Sequence, residues 1–371
     1  MLSRKPPRPV EPPALPDPRG PLSSAVLDAL RRGPVVLPVP DDADPYGDDL
    51  QLALYCCYEL HYRGFAGVPD EREWDPTLLT ARAAMERLFL GALRAGVPGS
   101  PDDNDVDAEL ATLLVEPVDA QGVSHHLRRD GELWQMREYV ALRSLYHLKE
   151  ADPQAFVIAR LDGPAKAALV SIEHDEYGAG DPDRMHARLF ADMMDALELS
   201  SAYGHYLDVA PAEVLAEVNL MSMCGLHRAL RGALVGQFAT VELTSSPGSD
   251  RLVKALRRLD APAAAVEFYA EHVEADAVHE QLVRRGVITP MLAAEPGLAR
   301  DVVFGIRASG LLADRLSRLL LDSWDAGHSA LRSPLSDAPT LAGDNPVTSP
   351  APWVPIRRFA GKPPLGVVRP R

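Results

Sequence analysis

The chain has 371 residues, with 38 Lys+Arg against 53 Asp+Glu, a formal net charge of −15 and 46% hydrophobic residues. That is the profile of a globular protein long enough for two or three domains. The acidic balance argues against a nucleic-acid binder, which would show a basic face. Three cysteines, Cys56, Cys57 and Cys224, exclude both a disulfide framework and a CxxC metal or redox motif.

Prolines concentrate at the ends: residues 1–40 hold 11 of the 34 and residues 333–371 hold 9. A Pro-rich arm with one short helix (21–33) is expected over 1–45, its first twenty residues flexible, and a disordered Pro-rich tail over 329–371. The opening MLSRKPPRPVEPPALPDP lacks a signal-peptide core, and no apolar run approaches the roughly 18 residues of a membrane span. A cytoplasmic protein with no membrane or nucleic-acid partner is expected.

Between the ends, helical spacing predominates. Apolar residues recur from about 46 through DLQLALYCCYEL, and PTLLTARAAMERLFLGALRAG (76–96) forms a second helix. With one or two short helices up to Val118, these make an N-terminal helical extension over 46–128. A main domain follows over 129–328. LWQMREYVALRSLYHLKEAD (133–152) stops at Pro153, and GPAKAALVSIEHDEYG (163–178) stops in a Gly-rich turn. Asp181-Pro182 offers an N-cap and a first-position proline for the next helix. From Pro211 the pattern reads as one long helix or two broken near Gly225. Helices over 260–286 and 296–324 complete an all-α bundle.

There is no GxGxxG, P-loop, GxSxG, HExxH or ExxH in the sequence. The absence of ExxH argues against a ferritin-like di-iron bundle. What stands out is His272, Asp276 and His279, offset by 0, 4 and 7 residues. At about 100° per residue they share one narrow helical stripe. Two imidazoles and a carboxylate make a partial site for Fe, Mn or Zn, although an acid-rich helix face is also simply a solvated one. Glu242 is the only charged residue between Gly232 and Ser249. Buried, it would need a partner or a metal; otherwise it faces solvent or pairs with an arginine. Glu150, Glu173, Asp175 and Glu176 end two successive helices, and His186 follows.

KEADP, then AKAALVSIEHDEYGAGDPDRMH, then the isolated Glu of a long apolar helix, then EHVEADAVHE together resemble the haem-oxygenase-like diiron oxidases and oxygenases. Many bacterial members of that superfamily are termed iron-containing redox enzymes. The resemblance spans about 130–326, and ELHYRGFAGVPDEREWDP (59–76) resembles the segment that precedes the domain in close relatives. It implies a haem-free bundle of about seven helices holding two irons through Glu150, Glu176, His186, Glu242, His272, Asp276 and His279. It further implies Glu176 as a bridge, Glu150 and His186 on one iron, and Glu242, Asp276 and His279 on the other. O2 is then a co-substrate, and the activity a non-haem diiron oxygenation or oxidation of a small metabolite, such as N-oxygenation of an amine or guanidine. A manganese–iron pair would use the same ligands. An external electron donor and a homodimer through the N-terminal helices are further expectations. The competing reading is a metal-independent helical binding protein on the same scaffold. A thiaminase-like reading would use Cys224 as nucleophile, but NLMSMCGL favours packing. Arg160, Lys166 and Arg184 are expected to pair with surface acids rather than substrate.

Overall fold

The computed structural model describes residues 11–33, 37–100 and 102–335, the side chains of Asp276 and Ala277 excepted. The described residues are mostly helical, with no strand among them. In chain order the helices are α1 (Pro21–Arg32), α2 (Asp48–Glu59), α3 (Pro76–Gly96), α4 (Val106–Leu114), α5 (Val123–Arg129), α6 (Leu133–His147), α7 (Asp152–Ile158) and α8 (Gly163–Glu176). There follow α9 (His186–Ala196), α10 (Ala212–Leu226), α11 (Arg231–Arg258), α12 (Ala263–Gln281), a π-helical stretch Leu282–Ile288, α13 (Thr289–Ala294) and α14 (Ala299–Asp325).

Local chemistry explains most boundaries. Asp75 accepts hydrogen bonds from Thr77 N and Leu78 N, and Pro76 follows at the first helical position, so α3 starts where the sequence indicates. Leu78, Ala81, Met85, Phe89 and Leu93 then supply its buried face at helical spacing.

Two starts and stops differ from the sequence reading. α6 ends at His147 rather than running to residue 152. Pro153 cannot continue a helix, and the chain reverses through Leu148–Ala151, with Ala151 at φ 71°. Glu150 therefore lies on a turn. Asp181-Pro182 does not cap α9: the Asp181 side chain accepts from Asp183 N at 3.1 Å, closing a turn, and the helix begins at His186. Sequence reading missed α5 and α7, both of seven residues, and α13, of six.

α11 is the axis of the bundle, packed along α12 and α14. Gly236 and Gly305 face one another there: a Cβ at Gly236 would strike the Val302 carbonyl, and one at Gly305 the Ala233 carbonyl. α10 is buried on nearly every face and separates α11 from α2. α1–α3 share one hydrophobic core with the bundle across the expected boundary at 128. Buried Asn219 of α10 donates to Gln51 O at 2.9 Å and Gln51 Oε1 at 2.8 Å.

The Pro-rich ends are partly tied down. Residues 11–20, expected to be flexible, pack without regular structure: Ala66 N donates to Pro13 O, and Arg19 to Asp48 and Leu207 O. At the other end Ser329 Oγ and Ala330 N donate to buried Glu138. The stretches 1–10 and 336–371, also expected to be disordered, lie outside the described residues.

Candidate metal centre

The geometry starts at the end of α8. Its last turn places Glu173 and Glu176 inward, three residues apart, and Asp175 outward. Tyr177 ends the helix and Gly178 follows at φ 76°, the left-handed position that glycine occupies after helices. A Cβ at Gly178 would also lie 2.6 Å from Met185 N and 2.8 Å from the Arg184 carbonyl carbon. This bare glycine lets the loop fold back, and His186 Nδ1 comes within 2.7 Å of Glu176 Oε2.

Opposite, α12 contributes His272 and His279. His272 Nδ1 donates to Phe268 O at 2.8 Å, which leaves Nε2 with its lone pair, 3.7 Å from Glu150 Oε1. His279 is oriented the other way round. Its Nε2 faces Asp175 Oδ2 at 3.4 Å, and its Nδ1 lies 3.2 Å from Glu242 Oε2 and 3.5 Å from Glu176 Oε1. In both histidines an outer partner fixes the ring and turns the other nitrogen inward, as metal-binding histidines require.

Six of the seven residues named from sequence thus meet as buried side chains: Glu150, Glu176, His186, Glu242, His272 and His279. The side chain of the seventh, Asp276, lies outside the described residues. The six fall into two groups able to hold a cation: Glu150, Glu176, His186 and His272; and Glu176, Glu242 and His279. Glu176 belongs to both. His272, which the sequence left unassigned, joins Glu150 and His186.

The donors suit a hard or borderline divalent ion. Glu150 Oε2 is buried without a hydrogen-bond partner, as are both Glu173 oxygens, so Glu150 keeps one oxygen for a cation. Burial opposes the ionisation of Glu150, but His147 and His272 outweigh it and hold its carboxyl well below the usual carboxylate range. Glu173 goes the other way: burial first, then Glu176 and Glu242, push it up to about 9.

Sequence reading missed His147. Its Nδ1 donates to Glu150 Oε1 at 2.7 Å, and its ring packs between Phe190 and Phe268. The i,i+3 spacing to Glu150, within the helix expected over 133–152, was the available signal. Of the three basic residues near the motif, Arg184 pairs with Glu271, whereas Arg160 donates to the last carbonyls of α10, Gly225 O and Leu226 O. Cys224 is fully buried, and burial pushes its thiol up to about 12, which removes it as a nucleophile.

A cavity of about 400 Å3 adjoins the cluster, lined by Glu150, Glu176, Glu242 and His272. Its walls also carry Arg143 and Glu217, paired at 2.6 Å, together with Tyr139 and Tyr269. Burial opposes the Arg143 charge, and Glu217 more than restores it.

Residues 137–314, just under half of the chain, match the model of the family described as iron-containing redox enzyme. No curated protein matches the chain. Among the described residues no helix is long and apolar enough to cross a membrane.

Proposed function

With residues 137–314 belonging to the iron-containing redox enzymes of haem-oxygenase-like fold, we propose that the protein is a non-haem diiron, O2-dependent oxygenase or oxidase acting on a small metabolite. The observation that carries this reading is the double membership of Glu176. One carboxylate shared by two buried donor groups suits a pair of cations better than a single ion.

Glu150, His186 and His272 would hold one iron, Glu242 and His279 the other, and Glu176 would bridge them. Asp276, on the same helical stripe as His272 and His279, would be a further ligand of the second group. When bound, such a pair supplies the electrons that activate O2, and so the oxidising power of the reaction. The remaining work belongs to the chain. Phe268 O and Asp175 hold the two histidines in their metal-facing orientation. The cavity beside Glu150 and His272 admits a small molecule. Its wall also carries Leu312, Leu316 and Leu320, an apolar surface that suits a partly apolar substrate. The Arg143–Glu217 pair and the phenols of Tyr139 and Tyr269 offer the polar contacts that orient a substrate.

The test is anaerobic Fe(II) loading followed by metal analysis and exposure to O2. The expected outcome is about two irons per chain and a transient visible absorption on O2 exposure. Uptake no greater than that of a metal-free control protein would end the proposal in favour of a metal-independent binding protein.

A further inference from the structure

The segment ELHYRGF, the end of α2 and the residues just after it, contributes nothing to either donor group. Its place in the fold supplies a use for it. Glu150 sits on the turn between α6 and α7, closed by local hydrogen bonds such as Lys149 N to Tyr146 O at 2.8 Å and Asp152 N to Lys149 O at 3.1 Å. Glu150 N reaches His147 O only at 3.4 Å, and Ala151 occupies the left-handed region. His147 orients the carboxylate directly, and the place of the turn itself is set by the surroundings packed against it.

Those surroundings come from α2 and the residues just after it. Lys149, next to Glu150, is 2% exposed, and its Nζ donates to Glu59 Oε2 at 2.7 Å. Glu59 is itself fully buried, and its Oε1 accepts from Tyr203 OH at 2.6 Å. The Lys149 ammonium lies 4.1 Å from the centre of the Tyr62 ring. Arg63 Nη2 donates to Leu148 O at 3.0 Å while its guanidinium covers Tyr203 at 4.0 Å. Two successive residues of the turn, Leu148 and Lys149, are therefore gripped from the N-terminal side, and the next, Glu150, faces the cluster.

A buried ion pair is a poor source of stability, because desolvation consumes most of the Coulombic gain. Apolar residues of the same volume would pack this interface as well. What the pair provides is a directed contact, as does the hydrogen bond of Arg63 to a carbonyl.

We propose that Glu59 and Arg63, through Lys149 and Leu148, are positioning residues for Glu150, so that the N-terminal helices complete the metal centre rather than merely precede it. The proposal rests on the diiron reading. It is tested with the full chain in two variants. The double variant Glu59→Gln with Lys149→Met removes the directed contact, leaves no buried charge unpaired and keeps an acceptor for Tyr203. Arg63→Ala removes the second grip at a half-buried position. Each is titrated anaerobically with Fe(II), read by bound iron and Mössbauer spectra, beside wild type, with helix content and melting temperature followed in parallel.

The expected result is weaker iron binding at the group containing Glu150, by roughly ten-fold or more. The other group should fill as in wild type, and helix content should be retained. Variants that melt earlier yet bind both irons with wild-type affinity and spectra would overturn the proposal, since that is what a purely structural role predicts. If the double variant does not fold, Arg63→Ala alone decides. A wild type that takes up no iron is a separate outcome, ending the diiron reading and this inference with it.

Discussion

Glu176 does two things at the residue scale: it faces His186 at 2.7 Å and His279 at 3.5 Å. Removing it should therefore differ in kind from removing a residue of one group. Glu176→Ala is expected to lower iron content from about two per chain to none, and Glu242→Ala from about two to about one, by elemental analysis after anaerobic loading. Equal losses in the two variants would show that the groups are not separate sites. The stripe of His272, Asp276 and His279 could be read from sequence because it needs only the pitch of one helix. The isolation of Glu242 was readable too, since an uncharged stretch around one carboxylate is a local pattern. The outer partners were not. Glu59 and Lys149 are 90 positions apart, and nothing in either neighbourhood marks them as a pair until the end of α2 meets the turn after α6. Hydrogen bonds from His272 to Phe268 O and from Arg63 to Leu148 O use backbone acceptors, which every residue carries and no sequence distinguishes.

At the scale of elements, helices with strong local signals matched their expected extents, and those shaped by tertiary contact did not. α3 begins at its Asp-Pro signal because Asp75 has nothing else to do. Burial works against the charge of Asp75, but bonds from Thr77 N, Leu78 N and Arg72 hold its carboxyl below the usual range. Asp75→Ala should cost on the order of 1 kcal/mol at neutral pH. The sign of the pH dependence follows from the lowered pKa. The contribution is complete above the ordinary carboxylate value and is lost as pH falls through the folded one. The difference between wild type and variant in urea unfolding should therefore shrink below about pH 4. Asp181-Pro182 carries the same signal, yet there the chain must fold back so that His186 meets Glu176, and the aspartate closes a turn instead. The crossing of α11 and α14 is also tertiary. Gly236→Ala should destabilise by about 2 kcal/mol or more, because its methyl meets the Val302 carbonyl rather than a side chain able to move. A melting temperature within error of wild type would mean that the helices can separate at no cost.

Over the whole molecule, the surplus of acids includes Glu150, Glu176 and Glu242, which are buried together rather than displayed. After burial, Glu176 and Glu242 together raise the carboxyl of Glu173 beside them, a repulsion that bound cations would relieve. Two cations that bind the folded chain and not the unfolded one stabilise it by mass action, about 4 kcal/mol per site at free metal a thousand-fold above Kd. Fe(II) loading under argon should raise the melting temperature by several degrees, and a chelator should reverse the shift. Glu176→Ala should melt at the same temperature with and without iron. If the wild type shows no shift, the cluster does not engage metal in the folded state.

The clasp at Gly178 turns a spacing into a measured length. From Glu176 to His186 the chain makes a closed excursion whose two ends meet, with no room for a Cβ between Gly178 and the backbone of Arg184 and Met185. One residue inserted there, or a side chain at 178, would push the imidazole away while leaving both helices intact. A related chain could keep every helix and every hydrophobic position and still lack this donor pair. In sorting distant relatives into iron binders and bystanders, the ten-residue interval with its glycine is therefore a sharper criterion than overall similarity.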